Sequence, residues 1–150
     1  MPPPELDRGS EPLLCPSSQP GFEQCRILGV VQQGPQGPEV AYLNEYLPAS
    51  AEVLDMAAPA NPTEVFRLAA VCQTGNCPHF DGADCRLATR IVQILPAVVS
   101  TLPACLIRHE CRWFRQEGAA ACQRCPQIAT INYQASETMQ QVAGVPPVAR

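Results

Sequence analysis

The chain has 150 residues, of which 17 are Pro, 9 are Cys and 10 are basic, all of them Arg. An apolar share of 46% rules out disorder along the whole length, and a net charge of -4 argues against a general nucleic-acid or membrane-surface binder. The length suits one domain with a modest core.

The first residues, MPPPELDRGSEPLL, carry neither a basic n-region nor an apolar h-region, so no secretory signal is read there. Residues 1–24, rich in Pro, Ser, Gly and Gln, are expected to be disordered. Residues 25–32 and 39–43 are short apolar runs joined by the turn-rich stretch QGPQGP, which predicts a small β-hairpin. Residues 50–57 read as a short helix stopped before Pro59. Residues 63–72, TEVFRLAAVC, fit helix and strand periods equally.

The strongest helical signal covers residues 82–95, with Asp81 or Asp84 as cap, a broad apolar face from Leu87 to Leu95, and Pro96 as terminator. Pro96 can also open a short helix over 97–101. The uncharged run 91–107 is seventeen residues long and is broken by Pro96 and Pro103. It is shorter than the ~20 apolar residues of a bilayer span, so it is read as core. Residues 107–117 predict another helix, Gly118 a stop, and 119–125 a further helical turn. Residues 134–150 are expected to form a mobile tail. The fold class is therefore α+β, mainly α in the cysteine-rich C-terminal half, with a small hairpin in the N-terminal half and irregular Pro-rich loops. One domain is expected over 25–133.

Charge and cysteine content divide the chain. Residues 1–71 hold nine acids against three bases, a net of -6, whereas residues 72–150 hold five acids and seven bases, a net of +2. Seven of the nine cysteines lie within 72–125, in the patterns Cys72-x4-Cys77-x7-Cys85 and Cys105-x5-Cys111-x10-Cys122-x2-Cys125. The expected location is cytoplasmic. In a reducing compartment so many thiols point to metal or redox chemistry rather than to a disulfide scaffold.

Thiolates suit iron–sulfur clusters and zinc, because both take soft sulfur ligands. Cys122 and Cys125, three residues apart, share one face of a helical turn. One unbroken helix would hold Cys111 and Cys122 roughly 16 Å apart, so a common centre requires a break at Gly118. Cys77 and Cys125 both precede Pro, a pattern found at cluster rims. Arg108, Arg112, Arg115 and Arg124 flank the second group, and would either offset an anionic cluster or form a solvated face.

The favoured reading is a four-iron (4Fe-4S) cluster held by Cys111, Cys122 and Cys125, with a fourth ligand from Cys105, Cys85 or Cys77. Cys72 and His79 extend the ligand set to a possible second centre. Such a protein would transfer electrons to, or sense redox state for, a partner protein, without nucleic-acid or membrane binding. The competing reading is a structural zinc module that acts in protein interaction. A third class uses the cysteines as thiols, in redox exchange or as an activated nucleophile. No phosphate-cradling loop, paired catalytic carboxylates or nucleophile elbow is present, so no catalytic residue is assigned. Cys15 and Cys25 have no metal-like spacing and read as ordinary thiols, and Trp113 and Phe114 read as packing residues.

The segment Cys105-Leu-Ile-Arg-His-Glu-Cys-Arg-Trp-Phe, followed by Gln-Glu-Gly and Cys-Gln-Arg-Cys-Pro, resembles small bacterial cysteine-rich proteins labelled as iron–sulfur or nitrogen-fixation proteins. More distantly it resembles a zinc- or iron-chelating cysteine-cluster family. The resemblance spans about residues 64–132. It implies metal or cluster binding and carries over no catalytic residue.

Overall fold

The structure is a computed structural model that describes residues 12–35, 37–130 and 136–143. It is an α+β fold, with an antiparallel sheet in the N-terminal half and the helices concentrated in the C-terminal half. The hairpin forms where the turn signal lies: β2 (Arg26–Gly34) pairs with β3 (Gly37–Tyr42), from Gly29 opposite Tyr42 to Gly34 opposite Gly37. Short helices α1 (Ala51–Asp55) and α2 (Pro62–Val65) follow. Ser50 caps α1 by accepting from the Val53 N–H at 3.3 Å.

The ambiguous stretch 63–72 resolves into both readings in succession. Its first residues end α2, and Phe66–Val71 form β4. The strand lies between β2 and β1 (Leu14–Cys15) in the order β1-β4-β2-β3. Leu14 stands opposite Val71 and Cys15 opposite Ala70, so part of the stretch expected to be disordered completes the sheet. Residues 1–11 of that stretch lie outside the described residues.

β4 is covered on both faces, and its period of two divides them. Phe66 and Leu68 pack with Ile27 and Ala57 in a small core under α1 and α2. Ala69 joins the larger core with Leu14, Leu28, Ala88, Ile91, Trp113 and Val142. Arg67 points the same way as Ala69 and is 0% exposed. Register shifts between Ile27 and Gly29, and at Gly29 an added Cβ would lie 2.7 Å from the Ala41 carbonyl oxygen, so β3 can approach only a glycine there.

Helix α3 (Arg86–Ile94) starts four residues later than expected, because Asp81 is used in a turn. Asp81 Oδ1 accepts from the Ala83 and Asp84 N–H groups at 3.0 and 2.8 Å. These bonds hold its carboxyl below the ordinary range. The helix ends at Leu95, before Pro96, as expected. The helix expected over 97–101 does not form; Val98 N–H instead donates to the Gln123 carbonyl at 2.9 Å, which ties an irregular segment to the next helix pair. The uncharged run is only partly core: Ile91, Leu95 and Ile107 are buried, whereas Val98 and Leu106 stay exposed. Among the described residues no helix is long and apolar enough to cross a membrane.

The helix expected over 107–117 begins as a 3-10 turn at Arg108–Glu110 and continues as α4 (Arg112–Glu117). Gly118, at φ +74°, separates α4 from α5 (Ala119–Arg124), and a 3-10 turn follows at Cys125–Gln127. The break at Gly118 is the one that the cysteine spacing requires. Within the region expected as a mobile tail, Glu137–Ala143 form α6, whose Val142 is 1% exposed and packs in the main core. Residues 131–135 and 144–150 lie outside the described residues.

Candidate functional site

The two cysteine groups border two separate cavities, with Trp113 bordering both. The first cavity is about 20 Å³ and is bordered by Cys105, Cys111, Cys122 and Cys125. It is about the size of one water molecule. The turn at Gly118 folds α5 back on α4, which brings Cys122 and Cys125 to the side of Cys111. Cys111 is the residue before α4, and it bridges to Leu14 of β1.

The decisive side chain comes from the sheet. Arg67 Nε donates to the Pro16 carbonyl at 2.7 Å, and Nη1 donates to the Cys125 and Ile128 carbonyls at 3.0 and 2.8 Å. Nη2 donates to Cys125 Sγ at 2.9 Å. Its guanidinium also lies 5.6 Å from the Trp113 ring centroid. No carboxylate pairs with this buried cation among the described residues. Burial disfavours its charge, but the neighbouring Cys125 and Tyr42 outweigh that and push the Arg67 pKa up. The Tyr42 phenol is itself raised far above its ordinary value, by burial first and by Cys125 second, so it stays a neutral hydroxyl.

Burial pushes Cys111 up to about 12 and raises Cys105 as well. Both therefore stay protonated at neutral pH.

The second cavity is larger, about 350 Å³, and is bordered by Cys72, Cys77, Cys85, His79 and also Cys15. Cys15 reaches it because β1 runs beside β4, whose last residue precedes Cys72. Burial raises Cys15 to about 11 and raises Cys85 too. The Cys85 backbone is held at both ends by one side chain: its N–H donates to Gln116 Oε1 at 2.8 Å, and Gln116 Nε2 donates to its carbonyl at 2.9 Å. His79 Nδ1 lies 3.0 Å from Arg90 Nη2. A guanidinium only donates, so Nδ1 accepts and the ring proton sits on Nε2. Burial, and then Arg90, lower the His79 pKa, which keeps the ring neutral.

This arrangement overturns the metal readings. All nine cysteines and both histidines are among the described residues, yet no group of three or more His, Cys, Asp or Glu side chains there could hold a metal ion. The reasons are physical. Around Cys105, Cys111, Cys122 and Cys125 the space admits no four-iron core, and a buried guanidinium already occupies the approach to Cys125. Cys72, Cys77 and Cys85 stand around the wall of a wide cavity, and the Nδ1 of His79 is taken by Arg90. The geometry thus fits neither an iron–sulfur cluster for electron transfer or redox sensing nor a structural zinc site. Of the flanking arginines, Arg108 borders the first cavity and Arg112 the second, while Arg115 and Arg124 donate to backbone carbonyls. Arg124 donates to the Leu95 and Ala120 carbonyls, Arg115 to the His109 carbonyl and Arg108 to the Pro103 carbonyl.

Sequence reasoning missed Arg67 and Cys15. The signal for Arg67 was present: a lone cation inside the otherwise apolar run VFRLAAV is a buried charge in search of a partner. Cys15 had no local signal, because its neighbours come from β4 and α3. Cys25 borders neither cavity. No family model, no curated protein and no solved structure matches the chain, so its function rests on this geometry.

Proposed function

We propose that the protein is a metal-free thiol–disulfide exchange protein in which Cys125 is the attacking thiol. One observation carries the reading: the fully buried Arg67 guanidinium, which has no carboxylate partner among the described residues, donates to the Cys125 sulfur at 2.9 Å. Reactive cysteines occupy such electropositive, partly exposed surroundings, whereas Cys111 is buried and raised to about 12.

In the exchange, the Cys125 sulfur attacks one sulfur of a partner protein's disulfide. That S–S bond breaks, the departing sulfur takes up a proton, and a mixed disulfide remains. Cys122 then attacks the Cys125 sulfur and releases the partner's second thiol. Two thiols of this chain are oxidised to one disulfide, and one partner disulfide is reduced to two thiols. All nine cysteines are free in the structure, as the reduced form requires. Helix neighbours three apart stand ~5–6 Å apart at Cβ, and a disulfide needs ~3.5–4.5 Å, so oxidation tightens the turn where α5 passes into the 3-10 turn at Cys125.

The test uses two separate samples of the reduced protein at neutral pH, one given limited alkylation and the other equilibrated with glutathione disulfide, each followed by peptide mapping. Cys125 is expected to be alkylated first in the one and to appear in a disulfide with Cys122 in the other. If Cys125 stays reduced, or reacts no faster than Cys111, the reading fails.

A further inference from the structure

The second cavity carries a binding chemistry that the thiol reading does not use. Phe22, Phe80, Trp113, Ile128, Met139 and Val142 supply an apolar wall. At about 350 Å³ it falls at the lower end of the ~300–1,000 Å³ range of small-molecule sites. Among the described residues no Asp or Glu borders it, and Arg112 is its one fully charged side chain.

Arg112 stacks over the Phe80 ring, with Cζ 5.2 Å from the centroid, which fixes the guanidinium plane. Its Nε is buried and has no hydrogen-bond partner among the described residues, and no carboxylate pairs with it there. The next residue repeats the pattern: Trp113 is 1% exposed and its Nε1 has no partner either. Buried donors without acceptors are rare and costly. Arg112 borders only this cavity, whereas Trp113 borders both. A third such donor, Arg108 Nε, belongs to the first, where about 20 Å³ leaves no room for an organic anion. Only here does an acceptor-seeking donor face enough space to hold one. His79 adds a further donor group here, because Arg90 holds its proton on Nε2.

We propose that this cavity binds a small organic monocarboxylate, whose carboxylate takes the Arg112 Nε–H and neighbouring donors while its apolar body lies against the aromatic and aliphatic wall. A phosphate dianion fits less well, since among the described residues the neighbouring Arg90 is engaged by His79 Nδ1 and the Val142 and Ala143 carbonyls, and Arg67 by three carbonyls and the Cys125 sulfur. The site is independent of Cys125, which does not border this cavity.

Trp113 is the only tryptophan of the chain, so its fluorescence reports binding directly. The full-length reduced protein is titrated with 4-phenylbutyrate and, separately, with 4-phenylbutyramide, which has the same body and no charge. The carboxylate is expected to give a saturable change in fluorescence, with the amide at least about tenfold weaker, as loss of a charge-assisted bond implies. Arg112→Gln, checked for folding by circular dichroism, is expected to abolish that preference. The wild-type comparison stands even if the variant does not fold. Equal affinity for the two probes, no saturable change with either, or a folded Arg112→Gln that keeps the preference would each overturn the site.

Discussion

The two thiol-lined cavities are built from the same parts and set up for different chemistry. Each is bordered by four cysteines, the indole of Trp113 and an arginine, Arg108 at the first and Arg112 at the second, and the Nε of both arginines is buried without a hydrogen-bond partner among the described residues. At the first, the guanidinium of Arg67 is spent on three carbonyls and one sulfur, and the space left is about 20 Å³. At the second, the Nε of Arg112 has no acceptor and the space is about 350 Å³. What a cysteine cluster does is therefore decided less by the sulfurs than by where the nearest cation donates and how much room remains. The first cavity adds Arg67 donating to Cys125 and leaves no room for an anion beside Arg108; the second leaves that room beside Arg112.

Arg67→Met is the harshest way to break the comparison. It leaves the Pro16, Cys125 and Ile128 carbonyls without their donor and removes the charge beside Cys125. Stability is expected to fall by about 3 kcal/mol or more, read as the urea midpoint. Arg67→Lys keeps the charge without the planar fork, so it should recover part of the Cys125 alkylation rate while remaining destabilised. A methionine variant as stable as the parent would remove Arg67 from the centre of the account.

Alkaline pH tests both cavities together. Cys111 is raised to about 12 and Cys15 to about 11, from an ordinary 9.0, and Tyr42 is raised as well. These acids ionise in the unfolded chain first. Below pH 9 their burial therefore costs nothing in linkage terms. From pH 9 upward the unfolded state holds fewer protons than the folded state, and stability falls through the folded values. Each unit is worth about 1.4 kcal/mol per group, so the urea midpoint should drop steeply between pH 9 and 11. Cys111→Ser and Cys15→Ser should each flatten the drop by a similar amount over this range, because both folded values lie at or above its upper end. A midpoint level across that range would mean that these thiols are not held protonated.

How much of this was legible depends on whether the causes are local. The hairpin was readable from QGPQGP, and the break at Gly118 from the helical rise between Cys111 and Cys122, because turns and rises act over a few residues. The split of the seven later cysteines into two groups also appears in space, on the two cavities. What spacing could not convey was the space enclosed. The same sequence pattern serves a cluster, a zinc ion or free thiols, and only the size of the void and the position of Arg67 separate them. The start of α3 was missed because Asp81 satisfies a turn instead of a helix end. The strand at Leu14–Cys15 was missed because its partner, β4, lies more than fifty residues on.

Gly118→Ala separates the two sites at a smaller cost. An added Cβ at Gly118 meets nothing within 4 Å, so the penalty is purely that of backbone at φ +74° and ψ -155°, a region that favours glycine. About 1–3 kcal/mol is expected. The turn it strains positions α5 and so Cys122 and Cys125, while Arg112 and Phe80 lie before it. Cys125 alkylation should slow, with 4-phenylbutyrate affinity little changed. Equal effects on both would show that the cavities are mechanically one.

Gln116→Ala is the complementary and smallest perturbation. Its amide acts as a strand would, accepting from the Cys85 N–H and donating to the Cys85 carbonyl at the start of α3. With these go the bonds from Gln116 Nε2 to Thr89 Oγ1 and Glu117 Oε2 at 3.1 and 2.9 Å, and loss of the four partly buried bonds should cost about 1–2 kcal/mol. Cys85 borders only the second cavity, so the expected result is weaker carboxylate binding with Cys125 reactivity retained. Gln116→Glu sharpens the reading, because it keeps an acceptor for the Cys85 N–H, removes the donor to the carbonyl, and places a second carboxylate beside Glu117, which Gln116 now contacts at 2.9 Å. If the bridge matters as a pair of bonds, the glutamate variant should be no better than alanine. If only the cap on the Cys85 N–H matters, it should recover most of the stability. Recovery of stability without recovery of carboxylate binding would place the functional role of Gln116 in its donor, and so in holding the Cys85 end of the second cavity rather than in supporting α3.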